Sequence, residues 1–77
     1  MDWDDEIDAT GLLCPLPVLK ARRRLLALPV GGVLRLVADD PAAVVDVPHF
    51  CAEQGHAVLA EAALAGRARA WLIRRGR

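Results

Sequence analysis

Pro29 and the pair Gly31-Gly32 separate two stretches of this chain whose apolar residues follow different periods. Before the break, Val18, Ala21, Leu25 and Leu28 recur at three- and four-residue spacings, while Lys20, Arg23 and Arg24 point elsewhere. That is the pattern of an amphipathic helix over residues 15–28. After the break, residues 33–38 alternate, with Leu34, Leu36 and Ala38 on one face and Val33, Arg35 and Val37 on the other. That is the pattern of a strand. A helix that gives way to a strand across so short a turn has to pack back on the sheet it feeds.

The remaining segments repeat this alternation. Residues 6–9 form a short first strand ending at the Thr10-Gly11 turn. Asp39-Asp40-Pro41 is a helix-start signal, with Asp40 as N-cap and Pro41 as the first helical residue. The helix it opens runs to Gln54 and closes at Gly55, and Pro48 should bend it or split it, because proline lacks an N–H. Residues 56–63 and 67–74 read as two extended runs joined by a hairpin at Leu64-Ala65-Gly66, with Trp71 and Ile73 sharing the core face. The predicted order is βαβαββ in the α+β class. This is a two-layer α/β sandwich with two helices packed on one face of a four-stranded mixed sheet, its first two strands parallel if adjacent. At 77 residues the chain is expected to be a single domain spanning 1–77. Two tryptophans and one phenylalanine are its only aromatics, so Val, Leu, Ile and Ala must fill most of the core. A domain of this size buries only roughly 60% of its unfolded surface.

Charge excludes some functions and leaves others. Ten Lys and Arg balance ten Asp and Glu, which argues against a general electrostatic grip on nucleic acid. The charges are segregated: the N-terminal residues Asp2, Asp4, Asp5, Glu6 and Asp8 are acidic, Lys20 to Arg24 are basic, and the C-terminal end is basic again. The acidic start differs from the basic n-region of a secretory signal, and no apolar run is long enough to span a membrane. Two cysteines are too few for the disulfide framework of a secreted mini-protein. The expected location is the cytoplasm, with both thiols reduced at rest and the protein a monomer.

Chemistry concentrates at Cys14, in the run Gly11-Leu12-Leu13-Cys14-Pro15-Leu16-Pro17-Val18. Prolines fit the first turn of a helix, where backbone N–H groups lack intrahelical partners. With Cys14 as N-cap, Sγ would accept from the Leu16 amide, since Pro17 has no N–H to give. That donor and the positive end of the helix dipole would favour thiolate over thiol. Pro15 and Pro17 would stiffen the turn, and Gly11 would supply backbone freedom just before it. The competing reading is a small buried cysteine that merely opens a helix. No Cys-x-x-Cys is present, so a self-contained dithiol of the thioredoxin kind is not expected.

The stretch from Asp8 to Pro17, with its Cys-Pro-x-Pro core, resembles the signature of the TusA (SirA-like) family of sulfur-carrier proteins. The resemblance continues through Gly31, Ala38-Asp39-Asp40-Pro41, Asp46-Val47-Pro48, Phe50-Cys51, Gly55-His56 and Leu72-Ile73-Arg74-Arg75-Gly76. It implies the same βαβαββ fold and a sulfurtransferase acting as a persulfide carrier, not as a stand-alone enzyme. Cys14 would take sulfane sulfur from a donor such as a cysteine desulfurase or rhodanese and pass it to an acceptor protein. Typical destinations in the family are tRNA thiolation, molybdenum cofactor maturation and sulfur-compound oxidation. Leu16 departs from the pattern, because many relatives carry a carboxylate at that position.

The other polar residues have plainer readings. Cys51 is expected to be a buried packing residue, with a resolving thiol for Cys14 as the alternative. Cys14, His49, Cys51 and His56 are metal-ligand types at poor spacing, so neither a metal nor another cofactor is expected. His49 reads as a surface helix residue and His56 as a turn residue. Asp39, Asp40 and Asp46 read as helix caps in preference to a carboxylate cluster. Lys20, Arg23 and Arg24 are the candidate partner contacts, suited to an acidic patch on a donor or acceptor. Two competing functions remain: a regulatory module that binds protein or RNA through the basic helix, and a thiol redox sensor.

Overall fold

The structure, a computed structural model, describes residues 2–77. Its elements run β1 (Asp5–Asp8), α1 (Leu16–Ala27), β2 (Val33–Ala38), α2 (Ala43–Gln54), β3 (Ala57–Ala63) and β4 (Arg69–Arg74). The sheet order is β1-β2-β4-β3, with β1 and β2 parallel and the other two pairings antiparallel. This is the α+β architecture expected from the sequence, down to the parallel first pair. Parallel neighbours need a crossover connection, and α1 is that crossover.

The boundaries of β2 fall where its alternation places them. Those of β1 and α1 differ by one residue: β1 begins and ends earlier than 6–9, and Pro15 caps α1 without being part of it. The last two strands begin later than expected, at Ala57 and Arg69, and the turn between them lies where the hairpin was placed. A larger difference concerns α2. Asp40 does not cap the helix, and Pro41 is not helical; the cap residue is Ala42 and the first helical residue Ala43. Asp40 instead closes the preceding turn, where its Oδ1 accepts from Ala42 N at 3.1 Å and its carbonyl accepts from Ala43 N at 2.9 Å. Nor does Pro48 split the helix, which runs through it to a left-handed Gly55 (φ 77°). The hydrogen bond that Pro48 removes would have ended on Val44, an exposed residue whose carbonyl water can reach.

One row of the core crosses three strands. Ile7 pairs with Leu36 and Leu36 with Trp71, and all three are buried on the helix-covered face. Leu34 and Ile73 form the neighbouring pair. Ala21 and Leu25 descend from α1, and Ala43, Val47, Phe50 and Cys51 from α2, at the spacing of a single helical stripe. Burying a side chain such as Leu25 fully contributes about 2–3 kcal/mol. Trp71 carries the largest fully buried side chain, and its Nε1 finds no acceptor among the described residues.

The C-terminus fastens the layers together. The Arg75 guanidinium donates to the carbonyl of Leu28 and, at 3.3 Å, to that of Leu26, so it sits at the negative end of α1. Its backbone pairs with the Gly31-Gly32 turn, through Gly31 N to Arg75 O and Arg75 N to Gly32 O, both 2.8 Å. Gly76 N donates to His56 Nδ1 at 3.0 Å.

Candidate functional site

The loop from β1 to α1 is held by side chains from two directions. At its start Asp8 Oδ1 accepts from the Thr10 amide at 3.0 Å and from the Thr10 hydroxyl at 2.6 Å, which keeps the Asp8 carboxyl below its ordinary pKa. Gly11 then turns with φ 81°, the left-handed conformation that glycine adopts at least cost. From across the sheet, Asp39 Oδ1 accepts from Gly11 N at 2.9 Å, and Asp40 Oδ2 accepts from Cys14 N at 2.6 Å. The end of β2 therefore sets where the loop runs.

Cys14 is exposed, as its proposed chemistry requires, but it is not the helix cap. Pro15 occupies that position, after a cis Cys14–Pro15 peptide, and makes no side-chain cap bond; Pro17 falls on the second helical residue. The Leu16 amide, the expected donor to sulfur, is already taken by the Leu13 carbonyl at 2.8 Å. The thiol has moved one position back from the helix end, and the cap-type stabilisation of a thiolate is lost with that move.

The surrounding charge has the opposite sign from the one expected. Asp46, on the first turn of α2, lines the cleft beside the sulfur; its carboxylate favours the protonated thiol and pushes it above its ordinary pKa. Desolvation and the negative charges of Asp46 and Asp40 push in the same direction. Asp39, Asp40 and Asp46 are thus not the helix caps they were expected to be. Two of them fix the backbone of the thiol loop, and the third faces the sulfur.

Beside Cys14 lies an open cleft of about 210 Å³. Its apolar wall is Pro15, Val18 and Phe50, and α2 lines the rest with Asp46, His49 and Glu53. These α2 residues recur at three- and four-residue spacings, so they share the face that α2 turns toward α1. His49 is a surface residue, as expected, with Nε2 3.3 Å from Glu53 Oε1. Sequence reading passed over Glu53. Its membership of the same helical face as Asp46 was visible, but the position of Cys14 against that face was not.

The remaining candidates separate cleanly. Cys51 is buried in the core, where desolvation pushes its thiol up to about 11, and it takes no part in the cleft. Lys20 and Arg23 lie with Leu16 and Leu19 along a shallow groove on the outer face of α1. Arg24, expected to join them in meeting a partner, instead reaches back to β1 and pairs with Asp5 at 3.0 Å, which holds the Asp5 carboxyl below its ordinary value. His56 stands before β3 and accepts from Gly76, which gives it a structural task. Among the described residues no group of three or more His, Cys, Asp and Glu side chains is arranged to hold a metal ion, and no helix is long and apolar enough to cross a membrane.

A two-layer βαβαββ sandwich that presents one exposed thiol at the head of its first helix defines a small α+β thiol protein. Residues 5–74 match the family described as Sulfurtransferase TusA, and the chain belongs to that family of sulfur carriers. It is 42% identical over 69 residues to the sulfur carrier protein TusA of Pseudomonas syringae pv. syringae, an alignment covering 90% of this chain and 82% of that one. It is 43% identical over 58 residues to the sulfur carrier protein TusA of Allochromatium vinosum, covering 75% and 76% of the two chains. The crystal structure of a SirA-like protein from Desulfitobacterium hafniense superposes with a TM-score of 0.84 over 96% of this chain and all of that one, at 24% identity. That likeness shows the fold.

Proposed function

We propose that this chain carries sulfane sulfur as a persulfide on Cys14, taken from a donor protein and passed to an acceptor protein in the cytoplasm. The observation that carries the reading is the exposed Cys14 thiol, on a loop tied by Asp39 and Asp40, in a chain of the sulfur-carrier family. The Cys14 thiolate attacks the outer sulfur of a donor Cys–S–SH. The donor S–S bond breaks, its electron pair stays on the inner sulfur as thiolate, and Cys14 leaves as Cys14–S–SH. An acceptor thiolate repeats the exchange on the outer sulfur. There is no net oxidation in either direction, and both steps favour an accessible sulfur.

Donors of the cysteine desulfurase or rhodanese type suit this chemistry, because each presents a persulfide. Lys20 and Arg23 are available to meet an acidic surface on such a protein. Arg24 contributes less, being engaged with Asp5. Intact mass after incubation with a cysteine desulfurase and cysteine tests the reading. A dithiothreitol-reversible gain of one sulfur atom is expected, absent in Cys14→Ala. Failure to load from several competent donors and from inorganic polysulfide would overturn it.

A further inference from the structure

Of the carboxylates that surround the thiol loop, Asp39 and Asp40 have other work. Asp39 accepts from Gly11 N, and both oxygens of Asp40 accept from backbone amides, of Cys14 and Ala42. Asp46 makes no ion pair with any cation among the described residues, yet it lines the cleft beside the sulfur. The groups facing that cleft can be named from each element. α2 supplies Asp46, His49 and Glu53, the loop before α2 supplies Asp40, and the cap residue Pro15 and Val18 of α1 carry no charge. His49 lies against Glu53, so among the described residues no fixed positive charge answers Asp46. The cleft is apolar on one wall and acidic on the other, with a nucleophile between them.

We propose that Asp46 is a positioning residue for sulfur transfer: its carboxylate pairs with a cationic side chain that the donor or acceptor brings into the cleft beside Cys14. This deepens the persulfide-carrier reading and rests on it. Alone, the protein holds Cys14 as a thiol, because a negative charge beside the sulfur disfavours a second one. Seating a lysine or arginine against Asp46 removes that penalty. The S–H proton passes to solvent, and the thiolate attacks the outer sulfur of the donor persulfide as described above. Stray electrophiles and neutral persulfides meet the less reactive thiol. A partner that carries the matching cation meets the thiolate.

Charged methanethiosulfonate reagents test this without a partner protein and without sulfur transfer. The rates at which a trimethylammonium-bearing and a sulfonate-bearing reagent modify Cys14 are compared, each divided by its rate with free mercaptoethanol. Wild-type protein should favour the cationic reagent several-fold, and Asp46→Asn should lose most of that preference. Alkylation of Cys14 by neutral iodoacetamide should at the same time shift to lower pH in Asp46→Asn, with the rate at neutral pH rising about three- to tenfold. Glu61→Gln, on the far strand β3, should change neither reading. Desulfurase-driven loading of Asp46→Asn should fall while polysulfide loading rises. An unchanged reagent preference in Asp46→Asn, an unchanged pH profile, or a parallel rise in both kinds of loading would each overturn the proposal. Since wild-type loading by polysulfide reads the carrier function itself, the two failures are distinguishable.

Discussion

The backbone amide of Cys14 donates to Asp40 Oδ2 at 2.6 Å, across 26 residues of sequence. This bond places the nucleophile by its main chain and leaves Sγ unconstrained by any cap. Asp40 also holds Ala42, so one carboxylate joins the start of α2 to the thiol loop. Asp40→Ala should leave both amides without this acceptor and cost about 1–2 kcal/mol. At roughly 4–8 °C per kcal/mol for a domain of this size, thermal unfolding should register it clearly. Asp40→Asn, which keeps one acceptor oxygen, should fall between, and hydrogen exchange at the Cys14 amide should quicken in the same order.

Charge reversal on α1 separates recognition from reactivity. In Lys20→Glu/Arg23→Glu, loading by a cysteine desulfurase should show a KM raised several-fold with a smaller effect on kcat, because rim charges act mainly on encounter. Loading by inorganic polysulfide should stay as in the wild type. Equal loss with both donors would show that these residues act on the thiol and not on docking.

His56 makes the C-terminal segment sensitive to acid. Burial, then the charges of Arg75 and Arg77, hold its pKa below the ordinary value, so the neutral ring is the folded form that accepts from Gly76 N. Unfolding returns the ring to about 6.5. The stabilisation is therefore complete above that pH and is lost as the pH falls toward the lower folded value. The melting temperature should drop more between pH 7.5 and 5.5 in the wild type than in His56→Asn. A Gly76 amide whose protection, relative to its intrinsic exchange rate, is the same at both pH values would contradict the assignment.

Arg75→Ala removes the Nη1 group that donates to both the Leu26 and the Leu28 carbonyls at the end of α1. A loss of about 1–2 kcal/mol is expected. Arg75→Lys should recover only part of it, since an ammonium keeps the charge but not the Nε–H that donates to the Arg77 carbonyl at 3.1 Å. Chemical denaturation with an unchanged m-value is the measurement that checks this.

Trp71 tests the core from a different side. Trp71→Ala should cost about 3–5 kcal/mol through the cavity it leaves, enough to unfold a small domain. Trp71→Phe should cost much less than that, because it also deletes the buried Nε1–H that has no acceptor among the described residues. Equal destabilisation by the two variants, read from urea midpoints, would mean that Nε1 is satisfied in solution.

Local pattern made most of the fold legible. The alternation of β2, the stripes of α1 and α2 and the glycine closing α2 are all properties of neighbouring residues, and they appear where the sequence puts them. The site was legible only as far as its nucleophile. That Asp39 and Asp40 hold the loop of Gly11 and Cys14 depends on contacts 28 and 26 residues apart, which arise only when β1 and β2 pair. Asp39-Asp40-Pro41 looks like a helix start because it has the right residue types. Partners available across the sheet recruited those carboxylates instead. The sign of the charge around the thiol was misread for the same reason: Asp46 is remote from Cys14 in sequence and adjacent to it in the cleft.

Tethering the thiol loop to the end of β2 separates two tasks. The outer face of α1 can exchange residues freely without displacing the sulfur, because no side chain there holds the loop in place. A carrier built this way can be fitted to new clients by redrawing one helix surface, with the strand end that aims the sulfur left as it is.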